Sequence, residues 1–331
     1  MADAGLKISA KDIEANKDFW LSIEDPDAFI RKSGVLKTAI LPSRYGHYEF
    51  FSQTSETSVY DEIPRLTTTD WSQSQYTNLA CPWNDDKSKR CPAGCVAIAS
   101  GQMLYFLHYK YGVPAEAPTT AYCNSKYNEK PYDWAQTNYT TYVWDEMDRF
   151  GVYSHALIAD IGRRLKMNYS PNGSAASDGD LKNTIFYSYG IDCTKADYSE
   201  SDLERNLRNS MPVILSASDM NNHKNAHTFI CDRYRRTQTT ITTTYVWVYD
   251  EYPTNPDGTL IPVPMLPDKV ETSHTMPAIS SIGFNWGNGF EVNNSQEWFS
   301  VSGPWDMPLT TPTPDYRLNV IMYMDFKPLN Q

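Results

Sequence analysis

Arg90-Cys91-Pro92-Ala93-Gly94-Cys95-Val96-Ala97-Ile98-Ala99 sets a cysteine directly after a glycine, at the first turn of an apolar stretch. A helix opening there turns unpaired N–H groups and partial positive charge toward the sulfur, which favours thiolate and lowers the cysteine pKa. The Cys95 amide can also point at the oxyanion that forms when sulfur attacks a carbonyl. A cysteine opening a helix is more often a small buried apolar residue, so the chemistry depends on partners elsewhere. Among His47, His108, His155, His223, His227 and His274, His227 stands out: it heads Thr228-Phe229-Ile230-Cys231-Asp232, which reads as a strand. A histidine at the edge of a sheet can face a helix N-terminus packed on that sheet. His223 sits in a loop of Asp, Asn and Lys and reads as solvated. Gln73, in Trp71-Ser72-Gln73-Ser74, has a side-chain amide suited to a second oxyanion donor. In Phe284-Asn285-Trp286-Gly287, an amide oxygen can hold the imidazole tautomer while the indole shields that bond.

The elements that must position these groups fall into two classes along the chain. Helices are predicted from Cys95 to about Tyr111, where Gly112 and Pro114 stop it, from Tyr153 to Met167, and from Ser201 to Asn209 behind a Ser199 or Ser201 cap. Strands follow at Pro212–Ala217, Thr228–Tyr234, Gln238–Asp250, Ile279–Trp286 and Arg317–Phe326. Helices first and strands second is the α+β pattern, with helices packed on one side of a mostly antiparallel sheet. The proline-rich stretch between Asp250 and Ile279 is expected to be a surface loop. Residues 1 to about 65 look separable: a helical stretch at Asp12–Ile30, then a polar linker at Ser52–Pro64. The expected division is thus an N-terminal appendage, 1–65, and a main domain, 66–331.

Composition narrows the function classes. The 331 residues are 40% hydrophobic, enough for a packed core. A net charge of -11 repels phosphate backbones and argues against nucleic acid as a partner. The longest nearly apolar run, Val96–Leu107, is too short for a transmembrane helix. The N-terminus carries Lys7, Lys11, Glu14 and Lys17 and lacks the apolar stretch of a signal peptide. The wealth of Tyr, Trp, Thr and Asn leans toward a secreted protein whose signal is absent from this chain.

Taken together, Gln73, Cys95, His227 and Asn285 stand in the order of a papain-like site, and the sequence resembles the streptopain-like branch of papain-fold cysteine peptidases. The resemblance rests on Trp71-Ser-Gln-Ser-x-Tyr-x-Asn78, Cys81-Pro82, Gly94-Cys-Val-Ala-x-Ala99, Gln102-Met103, Met167-Asn-Tyr-x-x-x-Gly-Ser174, His227-x-Phe-x-x-Asp232 and Asn285-Trp-Gly287. It implies a two-layer papain-like fold, a secreted or cell-surface bacterial enzyme and endopeptidase activity on protein or peptide substrates. It also implies a Cys95 and His227 dyad, a Gln73 oxyanion donor, and Asn285 or Trp286 supporting the imidazole. Trp286, Gly173 and Ser174 are then expected to line the substrate cleft, with the loop 168–177 as its edge. Neither cofactor nor metal is implied. The resemblance also implies a pro-segment, to which residues 1–65 are expected to belong in shortened form, so a pro-segment or an endogenous inhibitor is a further expected partner and the protein is expected to be a zymogen.

The chain departs from the family where a second Trp usually follows Asn-Trp-Gly, since Asn288 takes that place. The sulfur of Cys95 is expected at a helix N-terminus within hydrogen-bonding reach of a His227 ring nitrogen. Two rival readings are a catalytically silent peptidase-like binding protein, and a zinc-stabilised binding module using Cys91, Cys95, His223 and His227. The zinc reading leaves the Gln73, Met167 and Asn285 segments unexplained.

Overall fold

The computed structural model describes residues 46–118, 125–132, 141–250, 254–260 and 269–329. The expected helix at 12–30 lies outside them. The chain divides into two compact units, Met1–Asp61 with Arg236–Ile279, and Glu62–Arg235 with Ser280–Gln331. The stretch 236–279, expected within the main domain, therefore groups with the N-terminal residues.

In the smaller unit, β1 (Gly46–Ile63) replaces the expected polar linker with an 18-residue strand. It pairs with the far half of β7 (Ala226–Tyr249), and β8 (Lys269–Thr275) pairs with the same half, Thr240 opposite Thr275 and Val246 opposite Lys269. The strand β8 also corrects the expectation of an unstructured proline-rich loop. Threonines with half-exposed faces build this sheet: Thr57 and Thr239 hydroxyls meet at 2.8 Å, and Thr242 meets Ser273 at 3.1 Å. β-Branched chains suit a pleated surface whose buried apolar side chains are few, Tyr48, Tyr245 and Val270 among them.

The larger unit carries the helices. α1 (Cys95–Tyr111) ends where Gly112 turns left-handed (φ 73°), as read from the sequence, and its N–H closes on the His108 carbonyl. Further on are the short strands β2 (Lys126–Tyr127) and β3 (Lys130–Pro131), then α2 (His155–Arg164), and β4 (Asn168–Tyr169), which lies parallel to β2. α1 approaches α2 closely because Gly101 has no side chain; a Cβ there would collide with Ile158. A short α3 (Leu181–Thr184) precedes β5 (Ile191–Asp197). α4 (Glu200–Arg208) follows, capped by the Ser199 hydroxyl, which accepts from the Asp202 amide. Then come β6 (Val213–Ser218), the near half of β7, β9 (Ile279–Asn285), a one-turn α5 (Phe290–Ser295), β10 (Phe299–Ser300) and β11 (Leu318–Pro328).

The sheet runs β10-β9-β7-β6-β11-β5, and its β5–β11, β11–β6, β6–β7 and β9–β10 pairs are antiparallel. Two apolar cores result. One gathers α1, α2 and the segments between them around Trp71, Ile98, Leu157 and Phe186; the other joins β6, β7, β9 and β11 around Phe229, Phe284, Trp286 and Met322. This is the α+β, two-layer arrangement expected. Among the described residues, no helix is long and apolar enough to cross a membrane.

Candidate active site

α1 starts at Cys95 because Gly94 adopts φ 89° and ψ 136°, a conformation that L side chains resist. A Cβ on Gly94 would also come to 2.7 Å from the Met167 methyl. The turn before it is fastened on two sides. The Ala93 N–H donates to the Gln73 carbonyl at 2.7 Å, and the Ser174 hydroxyl donates to the Pro92 carbonyl at 2.5 Å.

Of the described cysteines, Cys81, Cys91, Cys193 and Cys231 are buried and Cys95 alone is half-exposed. Burial pushes the Cys81 and Cys193 thiols up to about 12, which makes them poor nucleophiles. Loss of water also raises the Cys95 pKa; the main-chain N–H groups of Thr228 and Val96 pull it back down, and the Asp178 carboxylate pushes it up. The expectation that the helix N-terminus would lower this pKa is thus corrected, since desolvation of the anion outweighs the dipole in this unliganded site.

His227 lies near the start of β7, opposite Ala217 of β6, and is 5% exposed. Its Nε2 stands 2.7 Å from the Trp286 carbonyl oxygen. A carbonyl only accepts, so in the neutral ring Nε2 carries the proton and Nδ1 keeps the lone pair. The ring sits among Phe229, Trp286 and Tyr316, at centroid distances of 5.7, 6.1 and 5.3 Å. Burial lowers its pKa to about 4 against the opposing pull of the Trp286 carbonyl.

Cys95 and His227 meet around Thr228 and Tyr316. The N–H at the Cys95 sulfur belongs to the residue after His227, and burial followed by the nearby Cys95 sulfur pushes the Tyr316 phenol up to about 12. Among the described residues no hydrogen bond joins the sulfur to the imidazole directly, in contrast to the expected contact. Two neutral groups attract each other weakly, and unliganded sites of this kind are often loose.

Asn285 does not face the imidazole. Its Nδ2 donates to the Thr69 carbonyl at 2.6 Å and to Gln102 Oε1 at 3.0 Å, and its Oδ1 accepts from Asn293 Nδ2 at 3.0 Å and the Gly287 N–H at 3.2 Å. Of the two expected supports, Asn285 or Trp286, it is Trp286 that meets the ring, through its main-chain carbonyl, and Asn285 is corrected to a residue that shapes the turn presenting it. Trp286 is fully buried, packed on Phe229 and Phe284 at 4.6 and 4.9 Å between centroids. It therefore offers substrate no surface, contrary to its expected place in the cleft. Of the two loop residues expected there, Gly173 is exposed with open space around it, while Ser174 is 9% exposed and braces Pro92. Gln73 is half-buried, with its Nε2 donating to Asn288 Oδ1 at 3.0 Å. His223 is exposed and Cys91 fully buried, and among the described residues no group of three or more His, Cys, Asp or Glu is placed to hold a metal ion.

Sequence reading missed the polar seam behind the site. Gln102, in the middle of apolar α1, accepts from the Trp71 N–H at 3.2 Å and bonds Asn285; Asn293 reaches Asp70 at 2.9 Å, and Asp70 pairs with Arg65 at 2.7 Å. A glutamine inside an otherwise apolar helix was the available signal, because a buried amide requires partners. Asp178, whose Oδ2 lies 3.5 Å from the Thr228 hydroxyl, was also missed.

A family model described as the Peptidase C10 family matches residues 71–252. Among solved structures, the active wild-type interpain A cysteine protease of Prevotella intermedia is similar at 18% identity and a TM-score of 0.51, covering 80% of this chain and 95% of that one. At that identity the likeness speaks to the fold, which is that of a papain-like cysteine protease. A fragment of prointerpain A from the same organism aligns at 17% identity and a TM-score of 0.47, over 94% of this chain and 83% of that one. No curated protein matches.

Proposed function

The chain belongs to the Peptidase C10 family and is a cysteine endopeptidase acting on protein substrates, and from that premise we propose that Cys95 is its nucleophile and His227 its base. Cys95 is supported by being, among the described cysteines, the one residue that is not buried, at a helix N-terminus beside the residue that follows His227. The neutral Nδ1 of His227 takes the thiol proton as the sulfur bonds to the peptide carbonyl carbon. The carbonyl oxygen becomes an oxyanion facing the Cys95 N–H and the Gln73 amide. When the tetrahedral intermediate collapses, the C–N bond breaks, and the His227 imidazolium gives its proton to the leaving amine. A thioester remains. His227 then draws a proton from water, hydroxide adds to the thioester, and the carboxylic product leaves as Cys95 regains its proton. Asn285 acts through the turn that holds the Trp286 carbonyl on Nε2.

Labelling with an epoxide-type thiol inhibitor followed by peptide mapping tests the assignment. The label is expected on Cys95, with activity lost in proportion. A label on Cys91 that abolishes activity while Cys95 stays free would overturn it.

We further read residues 1–65 as a pro-segment that restrains a catalytic domain at 66–331, and the enzyme as secreted, which suits the exposed polar residues of β1 and the many exposed aromatics. A chain starting at Gly46 keeps β1 intact and is expected to cleave casein faster than the full chain. Equal rates would rule out restraint by the first 45 residues.

A further inference from the structure

Asn288 occupies the position where the resemblance leads one to expect a second tryptophan, and its side chain does something an indole cannot. Its Oδ1 accepts a hydrogen bond from Gln73 Nε2 at 3.0 Å. The asparagine is itself anchored, with its Nδ2 3.0 Å from Met307 Sδ. It sits between Gly287 and Gly289, at φ 70° and 91°, and the Gly289 N–H reaches the Trp71 carbonyl at 3.3 Å, so the turn is tied to the segment that carries Gln73. Gln73 and Asn288 stand together on the wall of a cleft of about 510 Å³ that also includes Ser72, Gln75, Phe150 and Phe290.

We propose that Asn288 is a positioning residue that fixes the Gln73 side-chain amide for the oxyanion. A glutamine amide has one end that donates and one that accepts, and rotation by half a turn exchanges them. Only the donating end stabilises an oxyanion. Because Asn288 Oδ1 solely accepts, it selects the rotamer in which nitrogen faces inward. One N–H is held by Asn288 and leaves the second to donate, while the Gln73 main-chain carbonyl, accepting from the Ala93 N–H, fastens Gln73 to the turn that leads into Cys95. A donor aligned before reaction loses nothing to reorientation when charge develops. An apolar residue at 288 would free the amide to rotate.

The inference rests on Gln73 being an oxyanion donor, and a double-mutant cycle separates the two ideas. In the full-length enzyme, Asn288→Leu is expected to lower kcat about five- to tenfold with KM within about twofold, and Gln73→Ala to lower kcat about a hundredfold or more. In the Gln73→Ala background, Asn288→Leu should change kcat by less than about twofold, because there is no amide left to position. Alkylation of Cys95 by iodoacetamide, which forms an S–C bond with loss of iodide and develops no oxyanion, should proceed at the wild-type rate in Asn288→Leu. The proposal is overturned if the Asn288→Leu loss persists in full without Gln73, if alkylation slows in parallel with kcat, or if Asn288→Leu is silent while Gln73→Ala is slow. A Gln73→Ala enzyme with unchanged kcat would instead remove the oxyanion role of Gln73, and this inference with it.

Discussion

The two reacting groups come from opposite halves of the larger unit and are held in opposite ways. The helical half offers Cys95 on a backbone device: a left-handed glycine, a helix start and a turn fastened by Gln73 and Ser174. Cys95 is only partly buried as a residue, although loss of water around its thiol raises the pKa. The sheet half sinks His227 among aromatic rings and fastens it by one main-chain carbonyl. A nucleophile has to touch substrate, so exposure is required of it. A base only has to pass a proton over a short distance, and burial keeps its ring oriented and its lone pair free at neutral pH. The difference teaches that in this fold access is assigned to the helix and orientation to the sheet.

Substitutions on the two sides should therefore fail differently. Cys95→Ala is expected to reduce casein cleavage by about five powers of ten or more with an unchanged melting temperature, whereas Cys231→Ala, in the sheet core, should lose stability and keep its chemistry. His227→Ala should lower kcat about a thousandfold or more; equal activity in His227→Ala and wild type would break the comparison outright. Asn285→Ala should weaken both kcat and folding, by about 3 kcal/mol in denaturant titration, because it leaves Gln102, Thr69 and Asn293 short of partners in a buried site. A large loss of kcat with full stability would instead mark Asn285 as a direct partner of the imidazole.

The pH dependence sharpens the sheet side. His227 is held at about 4 in the folded enzyme against an ordinary value near 6.5. Between those values the unfolded chain binds the proton and the folded one does not, so His227 lowers stability as pH falls from about 6.5 to 4 and contributes nothing above that window. The acid limb of kcat/KM is expected near pH 4, and His227→Gln should flatten the stability loss across the same window. The smallest effect belongs to the helix side. Asp178→Asn removes a charge that opposes the Cys95 thiolate, and iodoacetamide should alkylate Cys95 about two- to fivefold faster at pH 7.

The chain made its site legible in some places and hid it in others, for physical reasons. α1 could be bounded at both ends because Gly94 and Gly112 mark left-handed positions that few other residues accept. α4 was announced by its Ser199 cap. β1 was hidden because its threonines and charged residues bury no continuous face, and β8 because the face it buries holds Thr272 and a single apolar residue, Val270, so neither shows the apolar alternation by which strands are read. The Trp286 carbonyl on His227 could not be read at all, since every residue has a carbonyl and its direction is set by a turn. Asn285 carried the family motif but acts one step away from the ring. His227 and Trp286 stand 59 positions apart in the chain, yet they meet at 2.7 Å because β9 runs beside β7 in the sheet.

The seam of Gln102, Asn285, Asn293, Thr69 and Asp70 has a consequence for how the enzyme survives its own trade. These groups are far apart along the chain, with Gln102 and Asn285 separated by 183 positions, and each satisfies another's buried polar atoms. Opening either apolar core alone would strand amides and a carboxylate without partners, so partial unfolding is penalised almost as heavily as complete unfolding. A peptidase is surrounded by copies of itself that cut whatever segment comes loose. Cooperativity of this kind keeps the population of half-open, cleavable molecules low, and the polar seam serves the lifetime of the enzyme as much as its chemistry.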